Sequence, residues 1–286
     1  MHYRRNLIFC LALLFSIPAL AQGQEDALGM PSAHLATLQS APVVDGVIDE
    51  EEWADATVID QPFIQFQPDY GEPSAFRTVV RIAQTETSLF VAFEAWDPDM
   101  SQLSAARTQR DSGLGRDDSV QIMLDTFGDR RTAYGFQTNA LGTQEDERIA
   151  DNGRTMDDRW DATWYSAAQR YDDRWTVELE IPFEILKFTG GEDVVWGMNL
   201  RRTVPRRLEH ATWTPPSESV FRVTAFGELT GINPPKPEDA WTFIPYIQGS
   251  YEKDDDADFN VGGDIRWRPT SNLGVDLTLN PDFALI

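Results

Sequence analysis

The sequence predicts an all-β fold. Between residue 41 and about residue 230, short runs alternate apolar and polar residues and are separated by Gly, Pro, Asp and Asn. Side chains on a β-strand point to opposite faces in turn, so a period of two is typical of half-buried strands. Hydrophobic residues make up 41% of the 286 residues, enough to bury a core. Many short strands in succession predict a β-sandwich or a barrel.

Five alternating runs carry this pattern most clearly. They cover residues 76–83, 120–125, 134–139, 175–181 and 196–201. Residues 89–96 are nearly all apolar, which predicts a strand buried on both faces. Helical signal is thin. The acidic segment at 49–53 predicts one short turn, and the segment beginning at Pro182 predicts another, because proline favours the first position of a helix.

The first 21 residues predict a secretory signal peptide. Arg4 and Arg5 precede a short apolar run at 7–17, and residues 19–21 read Ala-Leu-Ala, which suits cleavage. The apolar run is too short for a transmembrane helix. We therefore expect an exported chain. The single cysteine, Cys10, lies in the segment to be removed, so we expect neither a disulfide nor a thiolate zinc site.

Changes in composition divide the remaining chain. Residues 22–40 show little pattern and predict a mobile leader, and residues 41–230 hold the strands of the sandwich. Residues 231–240 form a linker in which Pro234, Pro235 and Pro237 cannot continue a central strand. We therefore expect a domain boundary at this linker.

Residues 241–286 differ in character from the sandwich. Three runs of roughly ten residues each have one apolar face and are joined by polar turns, as in the strands of membrane β-barrels. The alternative is three more soluble strands packed on the sandwich. Because a membrane barrel closes with at least about eight strands, we interpret the tail as the incomplete start of an outer-membrane barrel and the sequence as a fragment.

The charge of the chain limits its partners. A formal net charge of −23 comes from 47 acidic residues against 24 lysines and arginines, which argues against a basic face that binds nucleic acid. Acidic clusters occur at Asp97 and Asp99, at Asp157 and Asp158, and at 254–258. They lack the twelve-residue loop that identifies a calcium site. We expect solvated acidic turns and no cofactor, with calcium as the alternative.

Several ordered motifs resemble a known family. Residues 42–50 (PVVDGVIDE) followed by Trp53, residues 117–125 (DDSVQIMLD), 175–182 (WTVELEIP) and 196–200 (WGMNL) resemble carbohydrate-binding module family 9. Residues 125–134 (DTFGDRRTAY) and 280–283 (NPDF) resemble bacterial outer-membrane proteins with such a module before a large β-barrel of unknown function. The resemblance implies an immunoglobulin-like or jelly-roll sandwich in the periplasm or outer membrane of a Gram-negative bacterium.

The resemblance also implies ligand-binding residues. The family's sugar-contacting Glu falls at Gln121, and its Arg and Asn on the next strand fall at Gln137 and Asn139. Two Trp side chains clamp the sugar in the family. The first falls near residues 115–116, where this sequence has no aromatic residue, and the second falls near Phe221.

The residues themselves support a shared polar surface. Gln121, Gln137 and Asn139 alternate with apolar residues, so on neighbouring strands they would lie on one outward face, which Asn199 and Arg201 would join. Amide and guanidinium groups suit the recognition of hydroxyls. The alternative is an ordinary solvated sheet face.

The other functional residue types favour structural roles. Glycoside cleavage needs two positioned acids, but no spacing selects a pair among Asp117, Asp118, Asp125, Asp157, Asp158 and Asp161. A haem site has little support, because its candidate ligands Met123 and Met198 are expected in the core. Four tryptophans in apolar strand positions are also expected in the core: Trp53, Trp96, Trp175 and Trp196. Trp160 and Trp164 share a face and are expected in the core rather than against a sugar.

The sequence therefore predicts a non-catalytic module that binds a poly- or oligosaccharide, within an envelope protein that could belong to a larger carbohydrate-degradation system. A periplasmic plug or partner-docking domain without sugar binding is the rival hypothesis.

Overall fold

The computed structural model describes residues 29–188, 194–234, 240–250, 258–270 and 273–279. The predicted signal peptide and the acidic residues 254–256 lie outside these ranges. The described residues form 18 strands in three sheets and five single-turn 3₁₀ helices. In the described part of the chain, no helix is long and apolar enough to cross a membrane.

The strands are β1 (Ser32–His34), β2 (Ala36–Thr37), β3 (Thr57–Ile59), β4 (Ile64–Gln67), β5 (Thr78–Gln84), β6 (Ser88–Trp96), β7 (Ser119–Asp125), β8 (Ala133–Asn139), β9 (Gln144–Ala150), β10 (Thr155–Asp157), β11 (Tyr165–Arg170), β12 (Arg174–Pro182), β13 (Trp196–Val204), β14 (Glu209–Thr212), β15 (Gly227–Thr230), β16 (Ala240–Ser250), β17 (Asp258–Thr270) and β18 (Leu273–Leu279). The 3₁₀ helices are Met100–Gln102, Leu114–Arg116, Phe183–Ile185, Pro205–Arg207 and Val223–Ala225.

Two sheets form the sandwich. The nine-stranded sheet has the order β1-β15-β13-β7-β8-β9-β10, and β14 and β4 extend it beyond the second half of β13. The six-stranded sheet has the order β11-β12-β6-β5-β2, with β3 also paired to β5. Every run that the alternation predicted as a strand is a strand, and the predicted all-β sandwich is confirmed.

The main core lies between the two sheets. The nine-stranded sheet contributes Ile122, Phe136 and Leu200, and the six-stranded sheet contributes Val91 and Val177, all fully buried. Burial of this apolar surface is the principal favourable contribution to folding, at roughly 25 cal/mol per Å².

Strand β6 is buried on both faces, as its apolar sequence predicted. Phe93 on one face belongs to the main core, whereas Phe90 on the other face packs with Trp53. The 49–53 segment forms the predicted short turn, in which the Trp53 amide donates to the Asp49 carbonyl oxygen at 3.1 Å.

The tryptophans largely follow the prediction. Trp53, Trp175 and Trp196 are buried. Trp96 is only partly buried, and the guanidinium of Arg174 lies 4.8 Å from its ring centroid. Two other tryptophans stand near Phe136: the buried Trp164 with its ring centroid at 5.4 Å, and the partly buried Trp160 at 5.9 Å.

The sandwich includes residues that were predicted to be a mobile leader. β1 pairs in parallel with β15 of the larger sheet, and β2 pairs in parallel with β5 of the smaller sheet. Leu35 and Leu38 are buried. The prediction was wrong for this part of the leader because these strands are too short to show a period of two.

The start of the predicted linker is also attached to the sandwich. The Gln84 side chain donates to the Gly231 carbonyl oxygen at 2.7 Å and accepts from the Asn233 amide at 2.9 Å. Ile232 between them is buried. The first linker residues therefore belong to the sandwich.

The third sheet, β16-β17-β18, is antiparallel and has two different faces. Register places Phe243, Ile265 and Leu277 opposite one another on the apolar face, and Ile247 opposite Val261. Phe243 is 67% exposed and Ile247 is 76% exposed. The predicted tail strands and their apolar face are therefore present, while their place in a membrane stays a prediction.

Candidate functional site

One row of polar side chains crosses four strands of the nine-stranded sheet. Glu145 on β9 lies opposite Gln137 on β8, Gln137 lies opposite Gln121 on β7, and Gln121 lies opposite Arg201 on β13. Residues paired in this way share a sheet face, and this one points away from the main core. The prediction that Gln121 and Gln137 share a face with Arg201 is confirmed.

This polar row is covered rather than open to solvent. Gln121, Gln137 and Arg201 are only 1%, 5% and 8% exposed. The partly buried Phe221 places its ring centroid 5.0 Å from the Arg201 guanidinium carbon. These side chains lie on the outer face of the sheet as predicted, but the alternative of an ordinary solvated sheet face was wrong.

An apolar patch beside the row explains why the segment that carries Phe221 lies over it. Met123, Ala133 and Ile149 point to the same side of the sheet and pack with Val223 and Phe226 of the segment that carries Phe221. Burial of these apolar side chains holds the segment over the sheet.

Hydrogen bonds organise the row but leave two atoms open. Gln137 Nε2 donates to Ser119 Oγ and its Oε1 accepts from Arg201 Nη2, both at 2.9 Å. Gln121 Nε2 donates to Glu147 Oε1 at 2.9 Å. Within the described residues, Gln121 Oε1 and Arg201 Nε are buried without a hydrogen-bond partner. One acceptor and one donor thus remain on adjacent strands.

Burial dominates the electrostatics of the row. It lowers the pKa of Arg201, although the nearby charges of Glu147 and Glu145 oppose that change. Burial likewise raises the pKa of Glu147, against the hydrogen bond from Gln121 and the charge of Arg201. The site therefore combines one desolvated cation with two carboxylates, a balance that suits a neutral polar ligand.

Asn139 lies on the same face of the sheet, but its side chain has no free hydrogen-bonding atom. Its side chain is fully buried, Nδ2 donates to the Arg107 carbonyl oxygen at 2.8 Å and to Asp117 Oδ2 at 2.9 Å, and Oδ1 accepts from the amides of Leu141 and Thr143 at 3.0 Å each. Both donors and both acceptor positions are used. Its predicted outward, solvent-facing position was wrong, because the side chain closes the turn between β8 and β9.

The two predicted aromatic positions have different surroundings. Phe221 lies against Arg201, so an aromatic ring does stand over the polar row. Residues 115 and 116 belong to the 3₁₀ helix Leu114–Arg116, and the Leu114 amide donates to Glu145 at the other end of the row. The position of the absent aromatic residue is therefore also beside the row.

The sequence pattern of the family described as "Carbohydrate family 9 binding domain-like" matches residues 44–229. The chain belongs to this family. It is a family of non-catalytic binding modules. A search of the curated proteins finds no match.

Solved structures of similar fold include two of a carbohydrate binding module family 9 from Caldicellulosiruptor kristjanssonii. The one in complex with cellotriose is 17% identical, with a TM-score of 0.51, covering 73% of this chain and 97% of that chain. The one in complex with glucose is 18% identical, with a TM-score of 0.52, covering 73% and 99%. A putative carbohydrate-binding protein from Bacteroides uniformis is 14% identical, with a TM-score of 0.56, covering 70% and 99%.

Sequence reasoning missed β9 in this family 9 module. Glu145 and Glu147 come from a run, residues 144–150, that reads QEDERIA and has almost no apolar alternation. Their spacing of two was the available signal. His210 was also missed as a neighbour of the row, where burial, together with the charge of Arg201, lowers its pKa.

The acidic clusters of the module are paired with arginines. Asp97 accepts from Arg206 at 2.6 and 2.7 Å, and Asp157 accepts from Arg148 at 3.1 Å. Each of these two acidic clusters therefore has an arginine as its counter-charge.

A third acidic group offers the geometry of a cation site. Oxygen atoms of Asp111, Asp146 and Asp161 lie within 4.8 Å of one another. The guanidinium of Arg110 forms ion pairs with all three. Calcium binding remains a prediction, and at this group it would have to displace Arg110.

Two carboxylates that were considered as catalytic candidates accept hydrogen bonds from loop amides. Asp117 accepts from the amides of Ala106 and Arg107, and Asp125 accepts from the amides of Asp129 and Arg130. These carboxylates therefore close loops. Met198 lies in the main core and Met123 in the patch under the covering segment, which supports the expectation that both are core residues.

Proposed function

We propose that the sandwich is a non-catalytic module that binds a neutral saccharide through Gln121, Gln137 and Arg201, with Phe221 as its aromatic contact. The observation that carries this proposal is that two residues paired across β7 and β13 each have a buried atom without a partner among the described residues, Gln121 Oε1 and Arg201 Nε. The glucose and cellotriose bound to similar modules support the ligand class.

A sugar hydroxyl matches these two atoms. It can donate its proton to Gln121 Oε1 while its oxygen accepts from Arg201 Nε. Glu147 and Gln137 hold the two side chains in place through hydrogen bonds of 2.9 Å each. Because a buried polar group without a partner costs about 1–3 kcal/mol, the hydroxyl would relieve an existing penalty.

Phe221 must move for a ligand to reach the row. Its ring occupies the space over Arg201, and the sugar ring would replace the guanidinium against it. One aromatic contact instead of two removes about 0.5–1.5 kcal/mol of stacking. We therefore expect weak binding, with a Kd near the millimolar range, about −4 kcal/mol.

Calorimetric titration of residues 22–286 with glucose and cellotriose tests this proposal, in a detergent without a sugar headgroup. Gln121→Leu keeps the approximate volume but removes the acceptor, so we expect binding to weaken by about 1 kcal/mol. Gln169→Leu, on the exposed edge of β11, is the matched control. A folded protein that binds neither sugar at millimolar concentration would promote the docking hypothesis.

The docking hypothesis has its own supporting observations. The polar row is buried, and β16–β18 carry exposed apolar side chains such as Phe243 and Ile247. We keep as a proposal that the chain is exported to the envelope of a Gram-negative bacterium and held at the outer membrane by a barrel that β16–β18 begin. Loss of detergent dependence when residues 235–286 are deleted would support this attachment, and unchanged dependence would contradict it.

A further inference from the structure

A cavity lies at the end of the nine-stranded sheet where β7 ends and β8 begins, and the polar row lies toward the other end of these strands. It has a volume of about 360 Å³, and its walls include Phe127, Tyr134, Arg148, Asp157 and Lys187. Tyr134 and Arg148 are directly paired across β8 and β9, and none of Gln121, Gln137, Arg201 and Phe221 lines the cavity. The cavity is thus separate from the proposed saccharide row.

The size of this cavity suits one small ring. Ligand pockets usually measure about 300–1,000 Å³, so this one is at the lower end of the range. Phe127 contributes an aromatic wall, and Tyr134 contributes a second ring that is itself packed on Trp160 at 4.9 Å between centroids. Aromatic walls of this kind contact the apolar faces of ring compounds.

The polar groups of the cavity are rich in hydrogen-bond donors. Arg148 uses Nη2 for Asp157 at 3.1 Å, and its guanidinium carbon lies 6.0 Å from the centroid of Trp160, so the side chain is held from two sides. Lys187 is exposed and adds a second cation. Asp157 is shared with Arg159, whose Nε lies at 3.4 Å.

The charges leave a local positive excess in an acidic protein. Two cations and one carboxylate line the cavity, while the chain as a whole carries a net charge of −23. Burial opposes ionisation of Asp157, but hydrogen bonds from Arg148 and Arg159 outweigh it and lower its pKa. An anionic ligand would therefore meet its counter-charge here, against the repulsion of the surrounding surface.

We propose that this cavity binds a carboxylated sugar ring, a hexuronate, with its carboxylate on Arg148 and Lys187 and its ring against Phe127. Asp157 would accept from ring hydroxyls, since an ionised carboxylate is an acceptor only. Tyr134 Oη accepts from the Lys187 amide at 3.4 Å and retains its own proton for donation. This site does not depend on the polar row or on its proposed ligand.

Titration calorimetry of residues 22–286 with glucuronate tests the proposal, with glucose and acetate as the ring-only and carboxylate-only probes. We expect glucuronate to bind at least about tenfold more tightly than acetate, and its binding to weaken at 1 M salt because screening reduces the attraction. Arg148→Gln and Lys187→Met should each weaken glucuronate binding by about tenfold, as expected for a charge-assisted hydrogen bond.

Two controls separate this site from the polar row. Arg154→Gln removes an exposed guanidinium near β10 that does not line the cavity, and should bind glucuronate as the wild type does. Gln121→Leu should affect glucose and leave glucuronate unchanged. Equal affinity for glucuronate and acetate, undiminished binding by folded Arg148→Gln and Lys187→Met, or loss of glucuronate binding only in Gln121→Leu would each overturn the proposal.

Discussion

The two faces of β13 show how neighbouring residues of one strand divide their roles. Arg201 and Arg202 are both buried, but they point to opposite sides of the nine-stranded sheet. Arg202 lies on the core side and donates to the carbonyl oxygens of Arg77 and Trp96 and to Thr78 Oγ1, at 2.7–3.1 Å. It thereby connects β13 to the six-stranded sheet.

Arg201 on the other face has a different set of contacts. Its Nη2 donates to Gln137, the Phe221 ring lies against its guanidinium, and the charges of Glu147 and Glu145 are nearby. The comparison teaches that burial of a charge alone does not identify a functional site. The difference is that Arg202 binds the backbone of the facing sheet, whereas Arg201 binds a side chain of its own sheet face.

The largest expected effect comes from the core-side arginine. Arg202→Met removes three hydrogen bonds between the sheets and leaves the nearby Asp118 and Asp97 without this cation. We expect a loss of about 3–5 kcal/mol in the free energy of unfolding, as for other broken buried charge networks. Urea denaturation measures it.

Arg201→Met is the matched variant for that measurement. With a single side-chain hydrogen bond to lose, it should cost about 1 kcal/mol. Equal losses in the two variants would contradict the division of roles between the faces of β13.

The next prediction concerns the contribution of the amino-terminal strands β1 and β2 to the stability of the sandwich. Deletion of residues 29–40 from a 29–234 protein removes β1, β2 and the burial of Leu35 and Leu38. We expect a loss of at least about 3 kcal/mol, because each of the two buried leucines contributes at least about 1.5 kcal/mol. Thermal and urea unfolding of the proteins with and without residues 29–40 measure this loss. Identical stabilities would show that these residues are a leader and not part of the sandwich.

Asn139 is a second buried polar residue on the same face of the sheet as Arg201, and we expect its role to be structural. Asn139→Ala removes four hydrogen bonds from the turn that follows β8 and leaves buried partners behind. We expect a loss of about 2–3 kcal/mol in the free energy of unfolding. The exposed Asn233→Ala is the control. A stable Asn139→Ala protein with impaired sugar binding would instead restore Asn139 to the site.

The smallest effect concerns pH and Glu147. Burial raises the pKa of this carboxyl in the folded state, so its stabilising contribution is present at low pH and is lost as the pH rises through that raised pKa. The wild type should therefore lose stability relative to Glu147→Gln as the pH rises from the ordinary glutamate pKa through the raised pKa. Urea denaturation at several pH values follows this difference, and a pH-independent difference would argue against the desolvated state of Glu147.

Much of the sandwich was predictable because its signals are local. The alternation around Ile122, Phe136 and Leu200 follows from the period of two in a strand, and it identified both the strands and their core-facing side chains. The same period placed Gln121 and Gln137 together. β9 escaped because its acidic run has no apolar alternation, and β1 and β2 escaped because they have three and two residues.

The sequence by itself determined the all-β class, the core of the sandwich, the family and the polar row, because each follows from residue types at short spacing. Only the tertiary structure decided which polar residues are available. Phe221 reaches the row from a distant segment, and Gln137 and Arg201, 64 positions apart, meet through strand pairing. Asn139 shares the strand phase of Gln137, yet the amides of its own turn and the carbonyl oxygen of Arg107 occupy it. Hydrogen-bond saturation depends on these three-dimensional neighbours, and a strand's periodicity carries no information about them.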